Sequence, residues 1–129
     1  MIAKELALGH RAIDFDHEVI ANRLQAFIDK FPPDTLDQIS EAQFLVELLI
    51  QHFRHELQIM RNANYTQKLE HGMRHSELLA DWTQVLTEPS VEGLIRIQDD
   101  LYEHILTFDA ELIRQLNLTE NPSLTSTST

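Results

Sequence analysis

The segment FLVELLIQHFRHELQIM, residues 44–60, decides the fold and raises the question of function. Its first half is almost wholly apolar, whereas two histidines and a glutamate interrupt the apolar pattern in its second half. A helix turns about 100° per residue, so residues four apart share one face. On this geometry His52 and Glu56 continue the buried stripe that contains Leu45, whereas His55 lies about 60° away, at the rim. The segment is therefore predicted to be a core helix that carries polar groups into the core.

The composition of the chain predicts one helical domain and excludes several functions. Among 129 residues, 43% are hydrophobic, and there are only 3 glycines and 4 prolines to interrupt helices. The formal charge of -11 would repel a phosphate backbone, so no nucleic-acid partner is expected. Cysteine is absent, which excludes thiolate ligands and thiol nucleophiles. No apolar run has the length of a signal peptide or a membrane span, so we expect a cytoplasmic protein without a membrane partner.

The apolar periodicity predicts an all-α chain in which four helices follow an N-terminal arm of residues 1–12. The expected helices cover about residues 13–31, 36–62, 66–87 and 91–117. Such lengths and short connections favour an up-down-up-down four-helix bundle over an irregular helical domain. The bundle is assigned to residues 1–118, and residues 119–129 are expected to be a disordered Ser/Thr-rich tail.

Local signals support these helix boundaries. Pro32 and Pro33 cannot continue the first helix because a proline lacks the amide hydrogen. Thr35 followed by Gln38 resembles a capping box at the start of the second helix. Ser90 is the expected N-cap of the fourth helix.

The histidines of the other helices also fall on apolar faces. In the third helix, His71 and His75 share the stripe that contains Trp82. His17 in the first helix and His104 in the fourth are likewise surrounded by apolar residues. Together with the second helix, this makes five inward histidines.

Several acids of the fourth helix lie near His104 in sequence, and three of them are candidates for a buried carboxylate. Asp100 has the familiar i−4 spacing, but it and Glu111 lie on the polar side of His104. Asp109 lies about 140° round, at the other edge of the apolar arc, and its side chain leans back towards His104. We predict that Asp109 is the buried carboxylate of this helix.

The inward polar residues predict a metal centre. A single inward histidine is more often a hydrogen-bonded core residue, but here five histidines and two carboxylates come from four helices. Burying them without partners would cost roughly 1–3 kcal/mol each. The set exceeds the needs of one ion, so two ions are expected, and ligands without sulfur suit iron, manganese, zinc or copper. No Glu-x-x-His motif occurs, which disfavours the carboxylate-rich di-iron class.

Four motifs carry a family resemblance: IDFDH at 13–17, HFRHE at 52–56, HGMRH at 71–75 and HILTFD at 104–109. In this order they resemble the hemerythrin family in its bacterial form, and Met60 and Tyr65 also fit the bacterial pattern. The likeness covers about residues 9–116. It implies a four-helix bundle that binds dioxygen reversibly at a non-haem di-iron centre.

The resemblance also implies how seven ligands are shared between two iron ions. One iron would be held by His71, His75 and His104. The other would be held by His17 and His52. Glu56 and Asp109 would bridge the irons together with an oxo or hydroxo ion. The second iron then has one protein ligand fewer, which leaves a position where dioxygen would bind.

An apolar wall around that position is a further implication of the resemblance. Its residues would be Ile20, Phe53 and Ile105, for which ordinary core packing is the alternative interpretation. Asp100 departs from the family, because the invertebrate oxygen carriers have a bulky aromatic residue there. The departure bears on how well the pocket is shielded.

The resemblance therefore implies oxygen storage, delivery or scavenging rather than an enzyme. A sensor of oxygen or redox state that acts on a partner protein is one alternative. A di-iron enzyme that reduces peroxide or nitric oxide is another. The sequence separates these alternatives poorly.

Overall fold

The computed structural model describes residues 7–31 and 36–120, and the regular structure in these ranges is helical. Helix α1 spans Arg11–Asp29, α2 spans Leu36–Asn62 and α3 spans Lys68–Thr87. The fourth helical segment consists of α4 at Val91–His104, a π turn at Ile105–Asp109 and α5 at Ala110–Glu120. No strand occurs in the described ranges, which confirms the all-α prediction and the four-helix bundle in outline. None of the described helices is long and apolar enough to cross a membrane.

The helix starts follow from caps. Helix α1 begins at Arg11 rather than residue 13, because His10 caps it by accepting a hydrogen bond from the Ile13 amide at 3.2 Å. Asp14 accepts hydrogen bonds from the amides of Leu8 and Gly9 and so ties the preceding chain to the first turn. The Ser90 hydroxyl accepts a hydrogen bond from the Gly93 amide, which confirms the predicted N-cap.

Some predictions lie outside the described residues. These are the first half of the arm, the Pro32–Pro33 stop, the side chains of the Thr35–Gln38 capping box and residues 121–129 of the predicted tail. The first two residues of that tail, 119 and 120, instead belong to α5, which ends at Glu120. Helix α2 nevertheless starts and ends at the predicted residues, Leu36 and Asn62.

Two apolar clusters make up the core. The first includes Leu24, Leu49, Trp82, Leu94 and Leu101. The second consists of Ile13, Met60, Tyr65, Leu112, Ile113 and Leu116. Their burial removes apolar surface from water and supplies the main drive for folding.

The predicted polar residues lie between these two apolar clusters. Along α1, His17 comes between Ile13 of the second cluster and Ile20 of the first. The polar residues of the other helices are placed in the same way. The core therefore has a polar layer enclosed by apolar packing on both sides.

Candidate metal centre

All seven predicted ligands are buried in this polar layer, with at most 7% of any one exposed. They are His17, His52, Glu56, His71, His75, His104 and Asp109. We call them the seven-residue cluster. Burying an ionised group costs free energy of folding unless the group is paired or binds an ion. The arrangement of the histidines must therefore compensate the charge of the two carboxylates.

The π turn explains how the fourth helical segment contributes two of these residues. A π turn hydrogen-bonds residue i to i+5, so residues five apart share a face as residues four apart do in an α-helix. Oδ1 of Asp109 accordingly lies 3.0 Å from Nε2 of His104. The predicted angle of Asp109, at the far edge of the apolar arc, was wrong because Ile105–Asp109 form a π turn rather than a regular α-helix.

The two oxygens of Glu56 face different histidines. Oε1 lies 3.1 Å from Nε2 of both His71 and His75. Oε2 lies 2.8 Å from Nε2 of His52 and 3.6 Å from Nε2 of His17. The carboxylate thus spans two groups of imidazoles.

Asp109 divides its oxygens in the same way. Oδ1 lies 2.9 Å from Nε2 of His71 and 3.0 Å from Nε2 of His104, whereas Oδ2 lies 2.8 Å from Nε2 of His17. The cluster therefore has a three-histidine side and a two-histidine side, each with the two carboxylates. On each side, one ligand atom from each member lies within 4.8 Å of the others, which is compact enough to hold a metal ion.

Three buried polar atoms of the cluster are placed for binding a metal rather than for hydrogen bonding within the protein. Oε2 of Glu56, Oδ2 of Asp109 and Nε2 of His104 make no hydrogen bond within the described part of the chain. Each of the three nevertheless has an oxygen or imidazole nitrogen of the cluster within 3.0 Å. Two of these atoms face the two-histidine side and the third faces the three-histidine side. Imidazole nitrogen and carboxylate oxygen are suitable donors for a transition metal, so each side has unpaired donor atoms that a metal would use.

When no metal is bound, protonation of the imidazoles compensates the negative charge of the two carboxylates. Burial opposes a charge on His52, but the Glu56 and Asp16 carboxylates outweigh it and raise the pKa of His52 to about 10. Burial likewise opposes a charge on His71, whose pKa Asp109 and Glu56 raise to about 9. Burial also opposes ionisation of the Glu56 and Asp109 carboxyls. The neighbouring imidazoles outweigh burial and hold the pKa of each carboxyl below its usual range. The two carboxylates also raise the pKa of His17 against its burial, so the metal-free cluster favours protonated imidazoles beside ionised carboxylates.

These pKa shifts predict that the metal-free and metal-loaded proteins differ in stability at alkaline pH. The stability that His52 and His71 gain from their carboxylates is fully present below pH 6.5 and is lost as pH rises through about 9 to 10. Metal-bound imidazoles carry no such proton, so the loaded protein should lack this loss. We expect the unfolding temperature of the chelator-treated protein to fall more steeply across this range. Parallel curves for the two forms would contradict the assignment, since all other groups titrate in both.

The three predicted wall residues are buried close to the cluster. The Phe53 ring stacks on His75, with ring centroids 3.8 Å apart and an interplanar angle of 9°, and lies 5.9 Å from His52. Ile20 and Ile105 are buried in the first apolar cluster. Phe108, which the sequence argument did not single out, stacks on His104 at 5.3 Å. That they wall a ligand position remains a prediction.

Two further residues, Asp16 and His55, lie beside the cluster where α1 faces α2. His55 is 43% exposed, as predicted for a rim residue, and its Nδ1 donates to Oδ2 of Asp16 at 2.9 Å. The same oxygen accepts a hydrogen bond from Nδ1 of His52 at 3.1 Å. Sequence reasoning missed Asp16, although its position directly before His17 places it at the edge of the inward face.

Asp100, the alternative acid of the fourth helix, is half-buried. Among the described residues it makes no hydrogen bond or ion pair with the seven-residue cluster. The position agrees with the prediction that it lies on the polar side of His104.

The chain is a four-helix bundle with a buried cluster of histidine, glutamate and aspartate that could hold metal. The division of the cluster into two sides matches the ligand sharing that the hemerythrin resemblance implies. Comparison with protein-family models, curated proteins and solved structures found no match to this chain.

Proposed function

We propose that this protein binds dioxygen reversibly at a di-iron centre held by the seven-residue cluster. The observation that carries the proposal is that Glu56 and Asp109 each turn one oxygen to the three-histidine side and one to the two-histidine side. A carboxylate arranged in this way is a bridging ligand for two ions. Two such carboxylates beside five imidazoles are more than one ion needs.

The unequal numbers of histidines support a small exogenous ligand. The three-histidine side offers five protein donor atoms, and the two-histidine side offers four. An ion held on the two-histidine side would have one protein donor fewer, which would leave room for a ligand from solution. When bound, the iron pair would supply reversible binding of dioxygen.

The surroundings of the cluster differ between its two sides. Phe53 and Phe108 stack on His75 and His104, two imidazoles of the three-histidine side, and Ile105 is fully buried. The two-histidine side instead adjoins a depression of about 320 Å³ that His52 and Ile20 line, so a small ligand from solution can approach from there. Mostly neutral imidazole ligands also stabilise ferrous iron more than a carboxylate-rich site would, which supports binding rather than oxidation of a substrate.

The up-down-up-down topology belongs to the same proposal. His17 and His71 lie near the starts of α1 and α3, whereas His52 and Asp109 lie in the second half of α2 and of the fourth helical segment. Helices that alternate in direction bring the starts of two beside the ends of the other two, which the convergence of these residues requires.

The protein purified after iron-replete expression should contain about two irons per chain. The physical reason is that two bridging carboxylates and two groups of imidazoles provide two sites. Elemental analysis measures this directly. One metal per chain, or zinc in both sites despite abundant iron, would overturn the di-iron assignment.

An optical cycle tests reversibility. The protein is reduced without oxygen, exposed to air and then returned to vacuum while its visible spectrum is recorded. Colour that appears with air and disappears under vacuum supports reversible oxygen binding. Irreversible bleaching, or turnover of peroxide or nitric oxide, would replace the proposal by the enzymatic alternative.

A further inference from the structure

We propose that Asp16 is a positioning residue for the two-histidine side of the centre and that His55 holds it in place. The inference rests on the proposed function, because it requires a metal on that side. His52 is held at both ring nitrogens: Nδ1 donates to Oδ2 of Asp16 at 3.1 Å, and Nε2 lies 2.8 Å from Oε2 of Glu56. With the proton on Nδ1, the lone pair of Nε2 faces the metal position.

This contact distinguishes His52 from most of the other imidazoles. Nδ1 of His17, His71 and His104 is buried and has no hydrogen-bond partner within the described ranges. An anionic acceptor at Nδ1 fixes the ring orientation and makes the opposite nitrogen a stronger donor. The effect of Asp16 therefore falls on the two-histidine side, where the exogenous ligand is proposed to bind.

Asp16 is itself fixed from two directions. It lies one residue before His17 on α1, and its carboxylate reaches across to α2, where His52 and His55 both donate to the same oxygen. An aspartate carboxylate is ordinarily ionised at neutral pH, so the acceptor that His52 meets is an anion.

The outer end of this network faces solvent. Asp16 is 27% exposed and lines a depression of about 320 Å³ with His52, His55 and the apolar residues Phe15, Ile20 and Leu48. The network thus runs from the surface to a buried imidazole without involving the three-histidine side. A change at Asp16 should alter one metal site and spare the other.

We expect Asp16→Ala to fold, to keep the metal on the three-histidine side and to bind the second iron 10–100-fold more weakly, as is typical for loss of an outer-shell partner. Asp16→Asn retains an acceptor oxygen without the charge, so it should recover much of the affinity. Its centre should still have a higher reduction potential, because the negative charge that favours ferric iron is gone. The measurements are anaerobic ferrous titration of the chelator-treated protein and the midpoint potential of the loaded protein.

Asp81→Ala is the matched control. Asp81 is 29% exposed and pairs with Arg96 at 2.6 Å. It lies roughly 9 Å along α3 from His75, the nearest member of the cluster on that helix. Wild-type affinity and potential in the two Asp16 variants would overturn the inference, as would an equal loss of affinity in Asp81→Ala. If Asp16→Ala does not fold, Asp16→Asn decides by the same two measurements. A wild type that binds fewer than two irons would overturn the proposed centre, and this inference with it.

Discussion

The Asp109→Ala variant is expected to lose most of its iron. Asp109 places one oxygen beside the three-histidine side and the other beside His17, so its removal takes a donor atom from both metal positions. In the proposed di-iron centre, it would also remove an anion from between two cations. Two unit charges 4 Å apart repel by about 4 kcal/mol at an effective dielectric constant of 20, and two divalent ions repel more strongly. The loss should therefore exceed the 10–100-fold effect of an outer-shell change.

Asp100→Ala is the control for this variant, since it removes an acid of the same helix with a more familiar spacing to His104. Asp100 makes no hydrogen bond or ion pair with the cluster within the described residues, so nearly all iron should remain. The comparison uses iron per chain after gel filtration, with the oxo-to-iron charge-transfer bands as a second measurement. An empty Asp100 variant beside a full Asp109 variant would show that the bridge had been assigned to the wrong acid.

Most of the fold could be predicted because its signals are local. Apolar periodicity gave the ends of α2 as observed, and the Ser90 cap was recognisable from residue type. The earlier start of α1 depends on His10, a residue that caps helices less commonly than serine or aspartate. The residue types of ILTFD do not predict the π turn. The turn places Asp109 beside His17 and His71, which belong to other helices, and such contacts leave no local signal.

The candidate site could be found from sequence for a similar reason. Each inward residue shares a face with apolar residues of its own helix, and all seven are indeed buried. Contacts between helices could not be read in this way, since they depend on how neighbouring helices are rotated and offset. The hydrogen bond from His52 to Asp16 and the stacking of Phe53 on His75 are of this kind. A helix periodicity places a residue on a face but does not say which residue of another helix it meets.

The largest contrast within one motif is expected between His52→Gln and His55→Gln. His52 is one of two imidazoles on the two-histidine side, so its loss should reduce the iron content from about two per chain towards one. The three-histidine side keeps all of its ligands and should stay filled. Iron per chain measures the outcome, and the visible spectrum should change because a single iron has no bridged neighbour.

His55→Gln is a closely matched control, because it makes the same substitution three residues later on the same helix. His55 is 43% exposed and reaches the cluster only through Asp16, which still accepts a hydrogen bond from His52 when His55 is replaced. The variant should therefore retain about two irons, with at most a modest weakening of the second. Equal iron loss in the two variants would mean that His55 does more than hold Asp16. It would also show that the angle between the two histidines on α2 does not distinguish a metal ligand from a rim residue.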